Sequence, residues 1–351
     1  MSGLFDRFDD LRVVSSRAPD PDAMTLCAIG RNEMYFLPAF LKHYRALGVE
    51  QFAILDDRST DGMSEYLMEQ PDVVVLESDY SYGDTIDLPQ TMATQISAGR
   101  ILYVWRSLLF SRFATQTWGV QTDLDEFVCL PDGMRFQDVA KRLDGEGARL
   151  AHGLMLDVYP ATLGDMKAMS LEAELDPGVP VYFDGEAHLR LRDGKSPKTL
   201  HPGARARLYH EYGVSEDYAR FGFKTPDYPN ALVRAIKTRF GTRIPNYNTI
   251  CKPLMAKWPA GAFFRNSHHT NLHGSTSVLV PFLHYRFTGA LYRKIEVALR
   301  EKSYSSGSLD HRLLEALLQR MSEGEGGFRY RKSRLVDGFA GLRETGNAKG
   351  L

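Results

Sequence analysis

The stretch Met24-Thr25-Leu26-Cys27-Ala28-Ile29, closed by Gly30-Arg31-Asn32-Glu33, decides the fold class. An apolar run this short, ending in glycine, reads as a strand buried on both faces. Asn32 offers a helix start. Phe36, Leu37, Phe40, Leu41, Tyr44 and Leu47 then recur at helical spacing until Gly48. Phe52 to Leu55 is a second apolar run, stopped by Asp56-Asp57. Ser59 and Asp61 offer a second helix cap ahead of Tyr66 and Leu67, and Val73 to Leu76 is a third run. Strand, helix, strand, helix, strand with short joins calls for right-handed crossovers, hence an α/β fold with a parallel sheet flanked by helices. In such sheets ligands bind beyond the carboxyl ends of the strands. The polar clusters Gly30-Arg31-Asn32-Glu33 and Asp56-Asp57-Arg58-Ser59-Thr60-Asp61-Gly62 fall at those ends.

Downstream, Ile101, Leu102, Trp105, Leu108, Leu109 and Phe113 mark the apolar face of a helix. Trp118 to Leu130 reads as one further strand, which carries Asp123-Leu124-Asp125-Glu126 to the same edge. Between Pro160 and about Tyr247 the periodicity loosens, and Gly, Pro, Tyr, Arg and Asp dominate a loop-rich elaboration. Helices are expected over 291–300 and from about Leu309 to Met321. Residues 1–22 are polar, end in Pro19-Asp20-Pro21-Asp22 and read as a tail. Residues 322–351, rich in Gly, Arg and Lys, read as a second tail.

Of 351 residues, 43% are apolar, enough for a substantial core. Lys and Arg (43) balance Asp and Glu (44), and a net charge of −1 gives no general attraction to nucleic acid or an anionic membrane. No nucleic-acid partner is expected. No apolar run approaches the length of a membrane span, so no transmembrane segment is expected. The first residues, broken by Asp6, Arg7, Asp9, Asp10 and Arg12, lack a signal-peptide pattern. A cytoplasmic protein is expected, with peripheral membrane contact left open. Cys27, Cys129 and Cys251 are odd in number and far apart. They read as small buried side chains, not as a disulfide framework or a structural zinc site.

On an extended strand, residues i and i+2 point to the same side, which would bring Asp123 and Asp125 together. Two such carboxylates repel, and burying them unpaired is costly. A divalent cation removes the repulsion; hard oxygen ligands suit Mg²⁺ or Mn²⁺, with positions left for substrate phosphates. The competing reading is an acidic loop capping a helix. Asp56 and Asp57 are placed to accept hydrogen bonds from a ribose or base, which is compatible with capping by Ser59 and Asp61. His268, His269 and His273 have no Glu in H-E-x-x-H register, which disfavours a metalloprotease. His268 or His269 could instead complete a metal site, against a surface or packing role. Glu33, Arg106 and Arg112 could order a phosphate edge, against ordinary helix positions.

Together these segments carry a resemblance. Arg31-Asn32-Glu33, His43-Tyr44 through Gly48, and Ile54-Leu55-Asp56-Asp57 with Ser59-Thr60-Asp61-Gly62 look like the start of family 2 glycosyltransferases. Trp118 through Asp123-Leu124-Asp125-Glu126-Phe127 resembles the D-x-D-E-F form of that family's metal motif. Met155 to Pro160, Tyr182-Phe183-Asp184, Gly203 to Arg207, Lys252-Pro253-Leu254, Ser267-His268-His269 and Leu283-His284-Tyr285 resemble a bacterial branch of it. The similarity runs from about Met24 to Met321.

The resemblance implies the GT-A fold: a Rossmann-like, mostly parallel sheet flanked by helices, with a loop-rich C-terminal elaboration. It also implies a nucleotide-diphosphate-sugar donor, a Mg²⁺ or Mn²⁺ on the diphosphate, and usually an inverting displacement onto a hydroxyl of a saccharide or glycolipid acceptor. Residues 23–160 would form the nucleotide-sugar-binding half and residues 161–321 the acceptor side. Matched position by position, Asn32, Glu33 and Asp57, with Asp56 beside it, would line the nucleotide pocket. Asp123 and Asp125 would hold the metal, and Arg106 falls near the family's basic residue ahead of the D-x-D strand.

An inverting transfer also needs a carboxylate to deprotonate the acceptor. The downstream acids Asp157, Asp184, Glu186 and Asp193 are the candidates, Asp184 first and Asp157 next. Two other readings compete. A sugar-phosphate nucleotidyltransferase would want a longer Gly-rich phosphate loop than Gly30-Arg31-Asn32. A non-catalytic saccharide-binding protein would not need Asp57, Asp123 and Asp125 together.

Overall fold

The computed structural model describes residues 5–115, 117–169, 174–193, 195–214, 249–301, 305–324 and 326–351. Its opening elements are β1 (Arg12–Val13), β2 (Thr25–Gly30), α1 (Leu37–Ala46), β3 (Gln51–Asp56), α2 (Met63–Met68) and β4 (Val73–Glu77). β2, β3 and β4 run parallel, with Cys27 opposite Ala53 and Ile54 opposite Val75. Every residue of β2 and β3 is buried, as both-faces-covered strands require. Their side chains alternate between two cores. Leu26, Ala28, Ile54 and Val75 pack with α1 on one face. Cys27, Ile29, Ala53, Leu55 and Val74 pack on the other against α4 (Ile101–Phe113), which follows the short α3 (Gln90–Ala93).

α1 has Pro38 in its first turn, the buried stripe Leu37, Phe40, Leu41 and Tyr44, and Gly48 with φ 89° just past its end. Asn32 does not cap it. Asn32 takes the left-handed conformation (φ 57°), and its Oδ1 accepts from Thr60 N at 2.7 Å, lacing the loop after β2 to the loop after β3.

The run from Trp118 to Leu130 is two strands rather than one. β5 (Gly119–Gln121) pairs parallel with β2, while β6 (Glu126–Val128) lies at the far end of the nine-stranded sheet. Between them a turn, closed by Glu126 N donating to Asp123 O at 3.1 Å, carries Asp123-Leu124-Asp125 across the sheet edge. The two acids therefore sit on a crossing loop and not on one face of a strand. Leu124 pins that loop: it is 2% exposed, and a Cβ on Gly30 would come within 2.4 Å of its Cδ1. Glycine at the end of β2 is what admits it.

The remaining elements are α5 (Phe136–Gly145), β7 (Leu150–Asp157), α6 (Leu163–Ala168), β8 (Tyr182–Asp184), β9 (Leu189–Arg192), β10 (Lys195–Thr199), α7 (Ala204–Glu211), β11 (Cys251–Ala256), β12 (Phe264–Asn266), β13 (His269–Thr270), β14 (Leu279–His284), α8 (Ala290–Glu301), α9 (Ser305–Glu323), β15 (Ser333–Leu335) and α10 (Phe339–Glu344). The sheet order is β1-β4-β3-β2-β5-β11-β7-β14-β6. Most of its residue pairing is parallel, including β7 with β14. β1, β11 and β6 run against their neighbours. The class is α/β, a mostly parallel sheet flanked by helices. A third core joins α6 to α9 through Tyr159, Leu208, Leu291 and Leu317. Of the loop-rich segment, residues 215–248 lie outside the described residues. Among the described residues no helix is long and apolar enough to cross a membrane.

The described parts of both expected tails are packed. Phe5 and Leu11 are buried in the core that faces α4, and β1 joins the sheet beside β4. At the other end β15 pairs with β8, Arg334 opposite Phe183, and Phe328, Leu342 and Asn347 are fully buried. Isolated apolar residues in polar sequence give no periodic signal, which is why both segments looked like tails.

Asn347 is the clasp of the C-terminal segment. Its Oδ1 accepts from His188 N at 3.0 Å, and its Nδ2 donates to Glu186 O at 2.9 Å. Asn347→Ala strands both backbone groups in the interior and should cost roughly 1–3 kcal/mol. Urea unfolding checks this: an unchanged midpoint contradicts the assigned role.

Candidate functional site

At the carboxyl ends of β2 and β3 lies a cavity of about 780 Å³. Its wall is formed by Asn32 and Glu33 after β2, the Asp123–Asp125 turn, Lys252 of β11, His284 of β14 and Lys294 of α8. Halves of the chain that are distant in sequence thus meet at one edge of the sheet.

The wall is a chain of ion pairs. Asp123 Oδ1 accepts from Arg106 Nη2 at 2.6 Å, and Asp123 Oδ2 accepts from Lys252 Nζ at 2.7 Å. Lys252 also pairs with Glu126, whose Oε2 accepts from Asp123 N at 3.0 Å. Asp125 Oδ2 accepts from Lys294 Nζ at 3.1 Å and lies 3.5 Å from His284 Nε2. Lys294 reaches on to Glu33 Oε1 at 2.8 Å, and its ammonium sits 4.7 Å from the centre of the Phe36 ring. His284 Nδ1 is 2.6 Å from Asp157 Oδ1, and Asp157 Oδ2 accepts from Arg205 Nε at 2.7 Å. Asp310 closes the series, 3.1 Å from Arg205 and 2.7 Å from Arg286.

Burial alone would push these carboxyls up. At Asp123 that effect is outweighed by Lys252 and Arg106, and at Asp125 by Lys294 and His284, so both are held well below the usual carboxylate range. Asp157 is likewise held down, against its burial, by Arg205 and His284. Glu33 keeps the upward shift from burial in spite of Lys294, and its carboxyl is pushed up to about 7. Burial lowers His284, but Asp125 and Asp157 more than reverse this and lift it to about 9, so the imidazole is a cation at neutral pH. In this cluster Glu33 Oε2, Arg106 Nη1 and Arg286 Nε are buried without a hydrogen-bond partner.

Asn32, Glu33, Asp123, Asp125 and His268 line the cavity. Asp56, Asp57, Arg106, Asp157, Asp184 and His269 are not among its lining residues. Asp56 caps its own turn by accepting from Ser59 N at 3.2 Å. Asp57 Oδ2 accepts from Tyr82 N at 2.9 Å, and Tyr82 lines the cavity, so Asp57 positions that wall from behind. Arg106 acts through Asp123.

The two expected catalytic bases need correction. Asp184 is 1% exposed, with its Oδ1 and Oδ2 each 2.9 Å from the Arg207 guanidinium and Oδ1 accepting from Tyr159 OH at 2.7 Å. An acid so enclosed and so paired cannot reach an acceptor. Asp157 is sealed behind His284 in the same way and orients that ring. Glu186 is tied to Tyr330 and Lys332 on the C-terminal segment.

The histidines separate. His269 is exposed and bonds Asn266 Oδ1 at 3.1 Å. His268 donates from Nδ1 to Cys251 O at 3.1 Å, which leaves Nε2 as its lone-pair atom. Burial first, then Lys252, pushes the His268 pKa down to about 3. For a metal ion, Asp123 and Asp125 supply the hard oxygen donors that Mg²⁺ and Mn²⁺ favour. Among the described residues no group of three or more His, Cys, Asp or Glu side chains could hold a metal ion.

The sequence reading missed Lys252, Lys294, His284, Arg205 and Arg286. One signal was available. Lys252 interrupts an otherwise apolar strand, Cys251-Lys252-Pro253-Leu254-Met255, and a lysine there is tolerated only beside buried acid. No local signal marked Lys294, whose helix has an ordinary amphipathic pattern.

No family model and no curated protein matches the chain. One solved structure that aligns with it is the UTP-bound UGPase from Acinetobacter baumannii, at 10% identity over 92% of each chain, with a TM-score of 0.25. Similarity that low carries no argument about fold or function.

Neutral, buried histidines set an acid limit. Burial holds His268 and His311 at about 3 and His152 at about 4. Unfolding releases each to about 6.5, so below that pH the unfolded chain binds protons the folded chain does not, and stability falls as pH drops. The contribution of these three histidines should be full above about pH 6.5 and decline toward pH 4, by up to about 1.4 kcal/mol per pH unit for each. Urea midpoints measured across that range should show a shallower decline for His268→Asn; an identical profile in the variant contradicts the assignment.

Proposed function

We propose that the chain is a nucleotide-sugar enzyme, specifically a GT-A-type glycosyltransferase that moves a sugar from a nucleoside diphosphate to a hydroxyl of a saccharide or glycolipid. One observation supports this above the rest. The D-x-D acids and the Asn32-Glu33 loop, far apart in sequence, wall one cavity at the carboxyl edge of a mostly parallel sheet. At about 780 Å³ the cavity is in the range of small-molecule and cofactor sites. The motif resemblance to family 2 glycosyltransferases points the same way.

In this reading Asn32 and Tyr82 flank the nucleotide, with Asp57 holding the Tyr82 backbone. A divalent cation on Asp123 and Asp125 supplies, when bound, positive charge for the departing diphosphate. With Asp157 and Asp184 sealed away, Glu33, a cavity acid whose carboxyl is pushed by burial up to about 7, takes the role of base. The acceptor oxygen bonds to the anomeric carbon while the bond to the diphosphate oxygen breaks, and the acceptor proton passes to Glu33.

A sugar-phosphate nucleotidyltransferase would use the same donor class but a different bond. Product analysis separates the two. Incubation with a panel of labelled nucleotide sugars and saccharide acceptors should release nucleoside diphosphate. Pyrophosphate formed from sugar 1-phosphate and a nucleoside triphosphate would favour the nucleotidyltransferase instead. Asp125→Asn should lower transfer at least about 10²-fold, and Glu33→Gln by about 10² to 10⁴. Wild-type rates in both variants contradict the assignment.

A further inference from the structure

The carboxylate pair that would receive a divalent cation is already neutralised from within. Asp123 holds Lys252 and Arg106; Asp125 holds Lys294 and His284. These cations come from separate elements, β11, α4, α8 and β14, so the arrangement is imposed by the fold and not by neighbours in sequence. Among the described residues the ion pairs join six acids (Glu33, Asp123, Asp125, Glu126, Asp157 and Asp310) to six cationic side chains (Arg106, Lys252, Lys294, His284, Arg205 and Arg286).

Asp123 and Asp125 each already hold two cationic partners. A free Mn²⁺ arriving at Asp123 and Asp125 would meet two ammonium groups on the oxygens it needs, in a low-dielectric pocket where like-charge repulsion is strong. Among the described residues no group of three or more His, Cys, Asp or Glu side chains would surround it, so most of its coordination shell must come from elsewhere. A diphosphate supplies both missing things, oxygen ligands for the metal and anionic partners for the displaced lysines.

We propose that Lys252 and Lys294 are resident counter-ions that keep divalent cations off the Asp123–Asp125 pair until a nucleotide diphosphate enters, when the lysines transfer from carboxylate to phosphate. This rests on the nucleotide reading of the cavity. Lys252 and Lys294 are suited to the hand-over because both line the cavity and a lysine carries its charge on a flexible stem, whereas Arg106 does not line it. Lys294 keeps a partly exposed side chain (19%) that faces the cavity, and Lys252 is nearly enclosed (6%). Lys294 is therefore the more accessible of the two. The lysines are positioning residues in this scheme: they set the order of binding, and on transfer they neutralise the leaving group.

Electron paramagnetic resonance of free Mn²⁺ tests the idea without relying on turnover. The wild-type chain, titrated with Mn²⁺ alone, should bind it weakly. Adding UDP, GDP, CDP, ADP or dTDP in turn should tighten Mn²⁺ binding at least tenfold for one of them. Lys294→Gln should bind Mn²⁺ alone at least tenfold more tightly than wild type, and the nucleotide should then add little. Lys252→Gln should do the same; because it leaves Glu126 buried without its partner, circular dichroism must first show that it folds. Lys294→Gln, more exposed, carries the test if it does not. Tight Mn²⁺ binding by wild type without nucleotide overturns the proposal, and so does a folded Lys294→Gln that gains no affinity. If the variants gain Mn²⁺ but no diphosphate recruits it to wild type, the hand-over is overturned together with the nucleotide reading of the cavity.

Discussion

The carboxylate of Asp125 is the interaction on which the site depends. It stands on a loop that crosses the edge of the sheet, and it is held by Lys294 from α8 and His284 from β14. Asp157 of β7 fixes the other nitrogen of His284, Arg205 of α7 fixes Asp157, and Asp310 of α9 fixes Arg205. One series of charges thus couples the edge of the sheet to the C-terminal helices. Removing a buried member such as Asp157, which pairs with both His284 and Arg205, leaves an excess of positive charge in the interior, which in proteins costs roughly 3–5 kcal/mol. The half of the chain that follows β7 is therefore no appendage to a finished domain; the wall of the cavity does not exist without it.

The N-terminal part of the fold was legible because its periods are clean. β2, α1, β3, α2 and β4 appear at or within a few residues of the positions read from apolar spacing. The run from Trp118 to Leu130 was misread for a definite reason. Two three-residue strands flank the acids, and their apolar residues are too few to show that the chain changes neighbours between them. The end of β2 needed Gly30 for the approach of Leu124, a requirement that exists only in three dimensions.

The candidate site was half legible. Asn32, Glu33, Asp123, Asp125 and His268 were named from sequence, and the fold brings all five to one cavity. Asp184 was misplaced because an acid in a loop-rich stretch looks solvent-facing, while its partners Arg207 and Tyr159 lie 23 and 25 residues away. Lys252 and Lys294 were missed for the complementary reason. A lysine in sequence reads as surface, and only pairing with acids across the sheet shows that it is interior.

What emerges is a cavity whose acids and bases are matched before any ligand arrives, set at the edge of the sheet where α/β proteins bind nucleotides. The central claim is that this cavity takes a nucleotide diphosphate, with its phosphates beside Asp123 and Asp125. The most direct measurement is a crystal structure of the chain grown with the nucleoside diphosphates named above and Mn²⁺. The base is expected on the Asn32 and Tyr82 side, the diphosphate within reach of Lys252 and Lys294, and the cation between phosphate and the two aspartates. Nucleotide bound elsewhere on the molecule, with the Asp123 and Asp125 ion pairs undisturbed, would contradict it.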